Sequence, residues 1–257
     1  MNRSRQTIVG LGLAAGILGG WLAAHVASVW MFPLARAAES PAWAAAALLL
    51  VLLQSWLGAG MFIVAHDAMH GSLAPGRPRL NAAVGQVALG LYAGFPYRKL
   101  AAKHHAHHRH AGAEGDPDFH TGAPRSFWRW YAKFFREYWG WPQQGAITGV
   151  LLLYLLAGAD PLNTAVFWGL PAIGSSLQLF LFGTWLPHRH EGPENASGRF
   201  VDRHNARTLA FPWWLSLLTC FHFGLHLEHH HSPGTPWWRL PAYRRRQEAE
   251  GAGFIAR

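Results

Sequence analysis

The sequence predicts an all-α integral membrane protein: about four transmembrane helices, further interfacial or re-entrant helices, and a histidine-rich cap on the cytoplasmic side. Three observations predict it. Of 257 residues, 51% are hydrophobic and only 14% are charged, against roughly 25% charged in a typical soluble domain. The chain carries 14 Trp and 28 Gly, both favoured in membrane helices. Its 17 histidines are concentrated in short stretches at helical spacing, most of them beside long apolar runs. The length suits a single domain spanning residues 1–257. The one cysteine, Cys220, allows no internal disulfide and no cysteine-based zinc or iron–sulfur site.

Met1 to Gln6 is short and basic, and an apolar run follows that defines a first span near 7–32. The run exceeds the ~7–15 residues of a signal-peptide core and lacks a good Ala-x-Ala site, so it reads as a span. Gly12, Gly16 and Gly20 form a small-residue stripe suited to close packing against another helix. His25 stands alone on this apolar helix and reads as structural. After a turn from Arg36 to Pro41, a second span near 42–65 delivers His66 and His70 at its end, and Pro75 and Pro78 break the chain. Leu80 to Phe95 is apolar but short, fitting a re-entrant, interfacial or short buried helix. The cluster from Lys103 to His110 comes next, then an ordered turn from Glu114 to His120. Ser126 to Trp141 alternates aromatic and basic residues, which in a chain with spans on both sides reads as an in-plane headgroup helix rather than an RNA-stacking surface. Spans near 144–159 and 162–186 form a hairpin about Asp160-Pro161, with a kink expected at Pro171. Leu209 to Leu225 is too interrupted for a span.

Charge orients these spans. With both termini in the cytoplasm, Arg36 is the only one of 22 Lys and Arg residues left outside. The net charge of +9 is therefore accounted for by topology, with no nucleic-acid partner implied, and every histidine cluster falls on the cytoplasmic face.

His66 and His70 are four residues apart; His104, His107 and His108 repeat as His-x-x-His-His, and so do His226, His229 and His230. On helices these share faces, and no helix stacks histidines for its own stability. Neutral imidazole is a good ligand for Fe, Zn, Cu and Ni. These eight ligands are too many for one metal and about right for two. Other metal motifs fail. His190-Glu191-Gly192-Pro193-Glu194 lacks the second His of a zinc protease, and Pro193 bars its helix. Glu228-x-x-His231 has no second Glu-x-x-His to complete a soluble di-iron bundle, and haem would leave most histidines unexplained. A metal transporter is the non-enzyme alternative, but its path needs polar groups near the bilayer centre, whereas these ligands sit at helix ends on one face.

The set His-x-x-x-His, His-x-x-His-His, His-x-x-His-His resembles the membrane fatty acid desaturase/hydroxylase superfamily. More narrowly, the chain resembles bacterial β-carotene 4-ketolases. The carriers are His66-Asp67-Ala68-Met69-His70-Gly71, Gly115-Asp116-Pro117-Asp118-Phe119, Leu186-Pro187-His188-Arg189, Asp202-Arg203-His204-Asn205-Ala206-Arg207 and the stretch from His229 to Pro241, ending Pro-Trp-Trp-Arg-Leu-Pro. The resemblance implies a non-haem di-iron centre with O2 as cosubstrate, oxidising an allylic ring carbon of β-carotene twice, first to an alcohol and then through a geminal diol to a ketone. It implies a carotenoid drawn from the bilayer, with unhydroxylated or hydroxylated rings, and a bacterial cytoplasmic-membrane setting among lipids. The chain has no flavin or nicotinamide fingerprint, so electrons would come from a separate donor such as ferredoxin and its reductase. Family centres carry ligands beyond the three boxes, and His188 is the first choice, followed by His204 and His222. His222 lies four residues before His226 and is expected on the same helical face. Asp116 and Asp118 read as acceptors behind the ligands, with helix capping the competing role. His105 and His231 read as extra histidines, not ligands. A carotenoid 3-hydroxylase, lipid desaturase or other hydroxylase of the superfamily would share every histidine argument.

Overall fold

A 29-residue helix organises the fold. It is α2 (Pro41–Met69), which begins at an extended Ser40 whose side chain accepts from the Ala42 amide, with Pro41 at the first position, where no N–H is needed. At 1.5 Å per residue it runs about 44 Å, longer than ~30 Å of hydrocarbon, so at least one end must emerge. Its last turn carries His66, and His70 caps it. The computed structural model describes residues 2–189, 200 and 203–251. The zinc-protease-like stretch at 190–194 and residue 202 lie outside the described residues.

Two other helices match α2 in length: α1 (Arg3–Met31) and α7 (Pro161–His188). These three are the helices long and apolar enough to cross a membrane among the described residues. Asn2 caps α1 through the Arg5 amide, and Asp160 caps α7 through the Asn163 amide, each at 2.9 Å. Between α2 and α7 lie α3 (Pro78–Ala93), α4 (Tyr97–His110), α5 (Phe127–Tyr138) and α6 (Trp141–Leu156). After α7 come α8 (Trp213–Cys220), α9 (His226–His231) and α10 (Leu240–Ala249). The only strand-like pairing among the described residues is an isolated bridge, Thr208 with Leu225.

The segment expected as a fourth span near 144–159 is α6, whose 16 residues cover only about 24 Å. It nevertheless runs from one end of the bundle to the other. The turn after it packs Ala159 beside Val29, Ala47 and Phe167 at the α1–α2 end. There Asn163 Nδ2 donates to the carbonyls of Ser28 (3.2 Å), Val29 (3.3 Å) and Phe32 (2.8 Å). These carbonyls lie where the helix ends, the π turn over Ala27–Met31 giving way to an extended Phe32 and to Pro33, which has no N–H, and the asparagine supplies a donor there. The chain then returns along α7 to the histidine end.

The core joins α1, α2, α3 and α8 through Ile17, Trp21, Ile63, Val64, Leu89 and Phe221. Phe221 reaches α2 at Gly60, where an added Cβ would lie 2.5 Å from its ring, so glycine is required there. Leu48, Leu49 and Leu52 on α2 and Leu152, Leu153 and Leu156 on α6 stay exposed, an apolar surface of the kind a bilayer covers. The stripe of Gly12, Gly16 and Gly20 does not pack as expected. A Cβ added at Gly12 or Gly16 would meet open space and one at Gly20 would only reach Leu57 at 3.9 Å, because α1 turns Ala14, Ile17 and Trp21 inward instead. The apolar 80–95 segment is the short helix α3, packed on α2. On α5, Trp130 is fully buried while Trp128 is 68% exposed, the two-sided pattern of an interfacial helix.

Candidate metal centre

Four elements aim imidazoles at one place. The end of α2 supplies His66 and His70, α4 supplies His104, His107 and His108, α9 supplies His226, His229 and His230, and α7 ends on His188. They fall into two groups: His66, His70, His104, His108 and His229 in one, and His107, His188, His226 and His230 in the other. Each His-x-x-His-His box is split between them. On α4 the i, i+4 pair His104/His108 joins the first group and His107 the second; on α9 the pair His226/His230 joins the second and His229 the first.

Within the first group Nε2 faces Nε2: His66–His229 at 3.0 Å, His70–His104 at 2.8 Å, His104–His108 at 3.1 Å and His108–His229 at 3.0 Å. In the second, His226 and His230 approach at 3.1 Å through Nε2, and His188 Nε2 is buried with no hydrogen-bond partner. Buried polar atoms are normally satisfied. Nitrogens at about 2.1 Å from one ion and at right angles to each other lie ~3.0 Å apart, so the donor sets fit two ions.

The opposite nitrogens show how the rings are held. His107 Nδ1 donates to both oxygens of Asp116 at 3.0 Å, and Asp116 also accepts from the Gly112 and Asp118 amides at 2.8 Å. His188 Nδ1 donates to the Asn205 carbonyl at 2.7 Å, and Asn205 Nδ2 donates to the Ala111 carbonyl at 2.9 Å. These contacts leave Nε2 of each ring free to ligate. Burial lowers His104, His226, His229 and His230 well below the ordinary histidine value and takes His70 to about 3, with neighbouring imidazoles adding to the effect. The cluster is thus neutral, the form that binds metal. His107 is the exception: burial opposes its charge, but the Asp116 and Asp118 carboxylates outweigh it and raise its pKa.

The nine residues His66, His70, His104, His107, His108, His188, His226, His229 and His230 all come together; two further histidines do not. His222 donates or accepts through Nδ1 at Ser216 Oγ, 3.0 Å away, and lies outside both groups. The same-face expectation fails because Phe221 and His222 take positive φ (48° and 61°), ending α8, and α9 starts only at His226. His204 is also outside both groups, its ring beside His230 and His231 at 5.8 and 5.0 Å. Asp118 accepts from the Tyr138 hydroxyl and lies 3.8 Å from His107 Nδ1, farther than Asp116. His105 points at the Met69 carbonyl (3.2 Å) and is in neither group.

Two residues that hold the site had been given no role from the sequence. Asn205 positions His188 from a left-handed backbone (φ 44°), a conformation asparagine tolerates; its place in the Asp-Arg-His-Asn-Ala-Arg stretch was the available signal. Asp67, between the two α2 histidines, accepts from the Trp237 amide at 3.1 Å and so ties the Pro-Trp-Trp-Arg-Leu-Pro segment to α2.

A cavity of about 700 Å3 opens against the cluster, with His104, His107, His226 and Asp118 in its wall. Beyond them its lining is chiefly apolar, including Phe62, Leu100, Ile147, Leu151, Trp168 and Phe223.

Over residues 41–148 and 143–254 the sequence matches the fatty acid desaturase family. The chain belongs to that family. This desaturase-family enzyme is 50% identical over 241 residues to a beta-carotene ketolase of Paracoccus sp. (strain PC1), covering 93% of this chain and 94% of the relative. A beta-carotene ketolase of Paracoccus sp. (strain N81106 / MBIC 01143) is 49% identical over 247 residues, covering 95% and 96%. A zeaxanthin 4-ketolase of Chlamydomonas reinhardtii is 38% identical over 255 residues, 97% of this chain and 56% of that one.

Proposed function

We propose that this chain is a β-carotene 4-ketolase: a non-haem di-iron, O2-dependent oxygenase that takes the C4 methylene of a β-ionone ring to a ketone by two successive hydroxylations. The observation that carries this reading is the pair of buried imidazole groups set against the wall of a chiefly apolar cavity. His66, His70, His104, His108 and His229 would hold one iron, and His107, His188, His226 and His230 the other. Two irons so held would supply the activation of O2. The protein's share is orientation and exclusion. Asp116 fixes the His107 ring, Asn205 fixes the His188 ring, and Phe62, Leu100 and Phe223 wall the reacting carbon from water. The carotenoid enters from the bilayer, the chain makes four passes with both termini in the bacterial cytoplasm, and electrons come from a separate donor such as ferredoxin with its reductase.

Expression in β-carotene-producing cells under limiting oxygen tests this. A hydroxylated intermediate should rise and fall before the ketone, and labelled O2 should enter the product, diluted by water exchange through the diol. A stable 3-hydroxy product would instead identify a hydroxylase, and a new ring double bond without inserted oxygen a desaturase.

A further inference from the structure

The cavity is far longer than the reacting ring requires. Along α7 its wall is one stripe: Thr184 and Gly183 beside the histidines, then Ser176, Ala172 and Trp168, and finally Pro161. From Thr184 to Trp168 the helix rises about 24 Å, and Pro161 lies about 10 Å farther on. On the facing side α6 contributes Ile147, Leu151 and Leu155, spaced four residues apart and hence on one face. The far end is the α1–α2-turn end of the bundle, and there the wall is stiff. Trp168 packs on Tyr154 (ring centroids 5.2 Å apart), Tyr154 packs on Trp30 (4.8 Å), and the Tyr154 hydroxyl meets His25 Nε2 at 2.9 Å. His25 in turn contacts Gln54 Oε1 at 3.2 Å, and Gln54 donates to Ser28 Oγ at 2.9 Å. This network lies far from the imidazole groups and has no part in holding metal.

Resting on the ketolase reading, we propose that the cavity holds one carotenoid lengthwise, with one ring against His104, His107 and His226 and the far ring seated against Trp168. An extended two-ringed C40 polyene is about as long as the hydrocarbon core is thick, ~30 Å end to end, so with one ring at the histidines the other falls at Trp168, short of Pro161. A single-ringed polyene of half that length reaches the histidines and leaves the Trp168 seat empty. The geometry has a kinetic consequence. When one ring is at the metals the other is a membrane thickness away, so the two rings of one molecule are oxidised in separate visits, with release and end-for-end reversal between them.

Two measurements on the purified full-length protein in lipid nanodiscs test the proposal, the second with O2, ferredoxin, its reductase and NADPH supplied. The first is binding, read from the shift of polyene absorption, for β-carotene and for the single-ringed C20 aldehyde retinal. Trp168→Ala should weaken β-carotene about tenfold, the loss of an aromatic wall against a ring, and leave retinal within about twofold. Ala165→Phe fills the same seat from an exposed position one turn away and should act alike, so a misfolded Trp168→Ala does not decide the matter. Equal loss for both ligands in Ala165→Phe, or loss for neither, overturns the seat. The second is a chase: labelled β-carotene is given first, then excess unlabelled β-carotene before the second ring reacts. Label trapped in the mono-ketone is expected, and label passing to the diketone at the unchased rate overturns the reversal. In the same assay, a wild-type protein that binds retinal and β-carotene but forms no ketone refutes the ketolase reading and not the seat.

Discussion

The two ends of the bundle both bury histidine and treat it in opposite ways. At the α1–α2 end, His25 is 1% exposed, and each ring nitrogen meets an oxygen, Gln54 Oε1 on one side and the Tyr154 hydroxyl on the other. At the other end nine imidazoles converge, and Nε2 meets Nε2 or nothing. Two neutral imidazole nitrogens 3.0 Å apart share at most one proton, and a ring of such contacts leaves lone pairs facing one another. Burying polar atoms without partners costs roughly 1–3 kcal/mol each, and the helices are nonetheless built to do it repeatedly in one place. A structural histidine is recognised by oxygen partners on both nitrogens, and a histidine of the two groups by an inner nitrogen that meets another imidazole or nothing, with His107 and His188 also tethered through Nδ1.

The sharpest way to break this contrast is to remove imidazoles from the open end. His66→Ala, His107→Ala and His229→Ala should each abolish ketone formation while the protein still inserts in the membrane, because each strips one ligand from a group. Pigment extraction checks the activity and membrane fractionation the insertion; wild-type-like conversion by any of the three defeats the ligand assignment. Metal analysis refines it. About two irons per wild-type chain should survive dialysis, and His188→Ala, confined to the four-imidazole group, should lower that to about one. Loss of both irons from His188→Ala would mean that the groups do not act as separate sites.

The two ends should also face opposite sides of the membrane. Reporter fusions after residue 38 and after residue 160, both at the α1–α2 end, are expected to report the outside, and a fusion at Arg257 the inside. An outside signal from the last fusion overturns the four-pass arrangement, and with it the cytoplasmic placement of the metal groups.

A smaller effect comes from the tether behind a ligand. Asp116→Asn keeps the shape but removes the charge that receives the His107 Nδ1–H. Iron affinity is expected to fall about 10–100-fold, read by competition with a chelator. The four-imidazole group should be the one affected, so the loss should stop near one iron per chain.

What the sequence revealed of this contrast, and what it did not, follows from the range of the interactions. The convergence of the histidines was legible because their spacing is local: i, i+3 and i+4 on a helix share a face whatever the fold. Their division into groups was not legible. His104 and His107 look equivalent along α4, and only the position of α9 and His188 sends them to different groups. His222 was misplaced for a related reason. Its spacing from His226 is helical, but Phe221 packs into the space left by Gly60, and the backbone turns left-handed at 221 and 222 to put it there. The Gly12, Gly16, Gly20 stripe failed because small residues permit a close approach without supplying the partner. At the α1–α2 end, the sequence placed His25 alone on an apolar span, while its partners Gln54 and Tyr154 come from 29 and 129 residues away.

The smallest expected effect tests that quiet end. His25→Ala removes a ring stacked on Trp21 at 4.7 Å and leaves Gln54 Oε1 and the Tyr154 hydroxyl to find other partners in an apolar setting. The cost to stability should be about 1–3 kcal/mol, seen as a lower Tm in detergent. Gln54 keeps its bond to Ser28 and Tyr154 keeps its packing on Trp30 and Trp168, so the bundle should still close. Iron content should stay at the wild-type level, since no ligand or tether is touched, and ketone formation should persist at a modestly reduced rate. If His25→Ala instead lost iron as completely as His66→Ala, the imidazole at this end would be coupled to the metal groups, and oxygen partners on both nitrogens would no longer mark a histidine as structural.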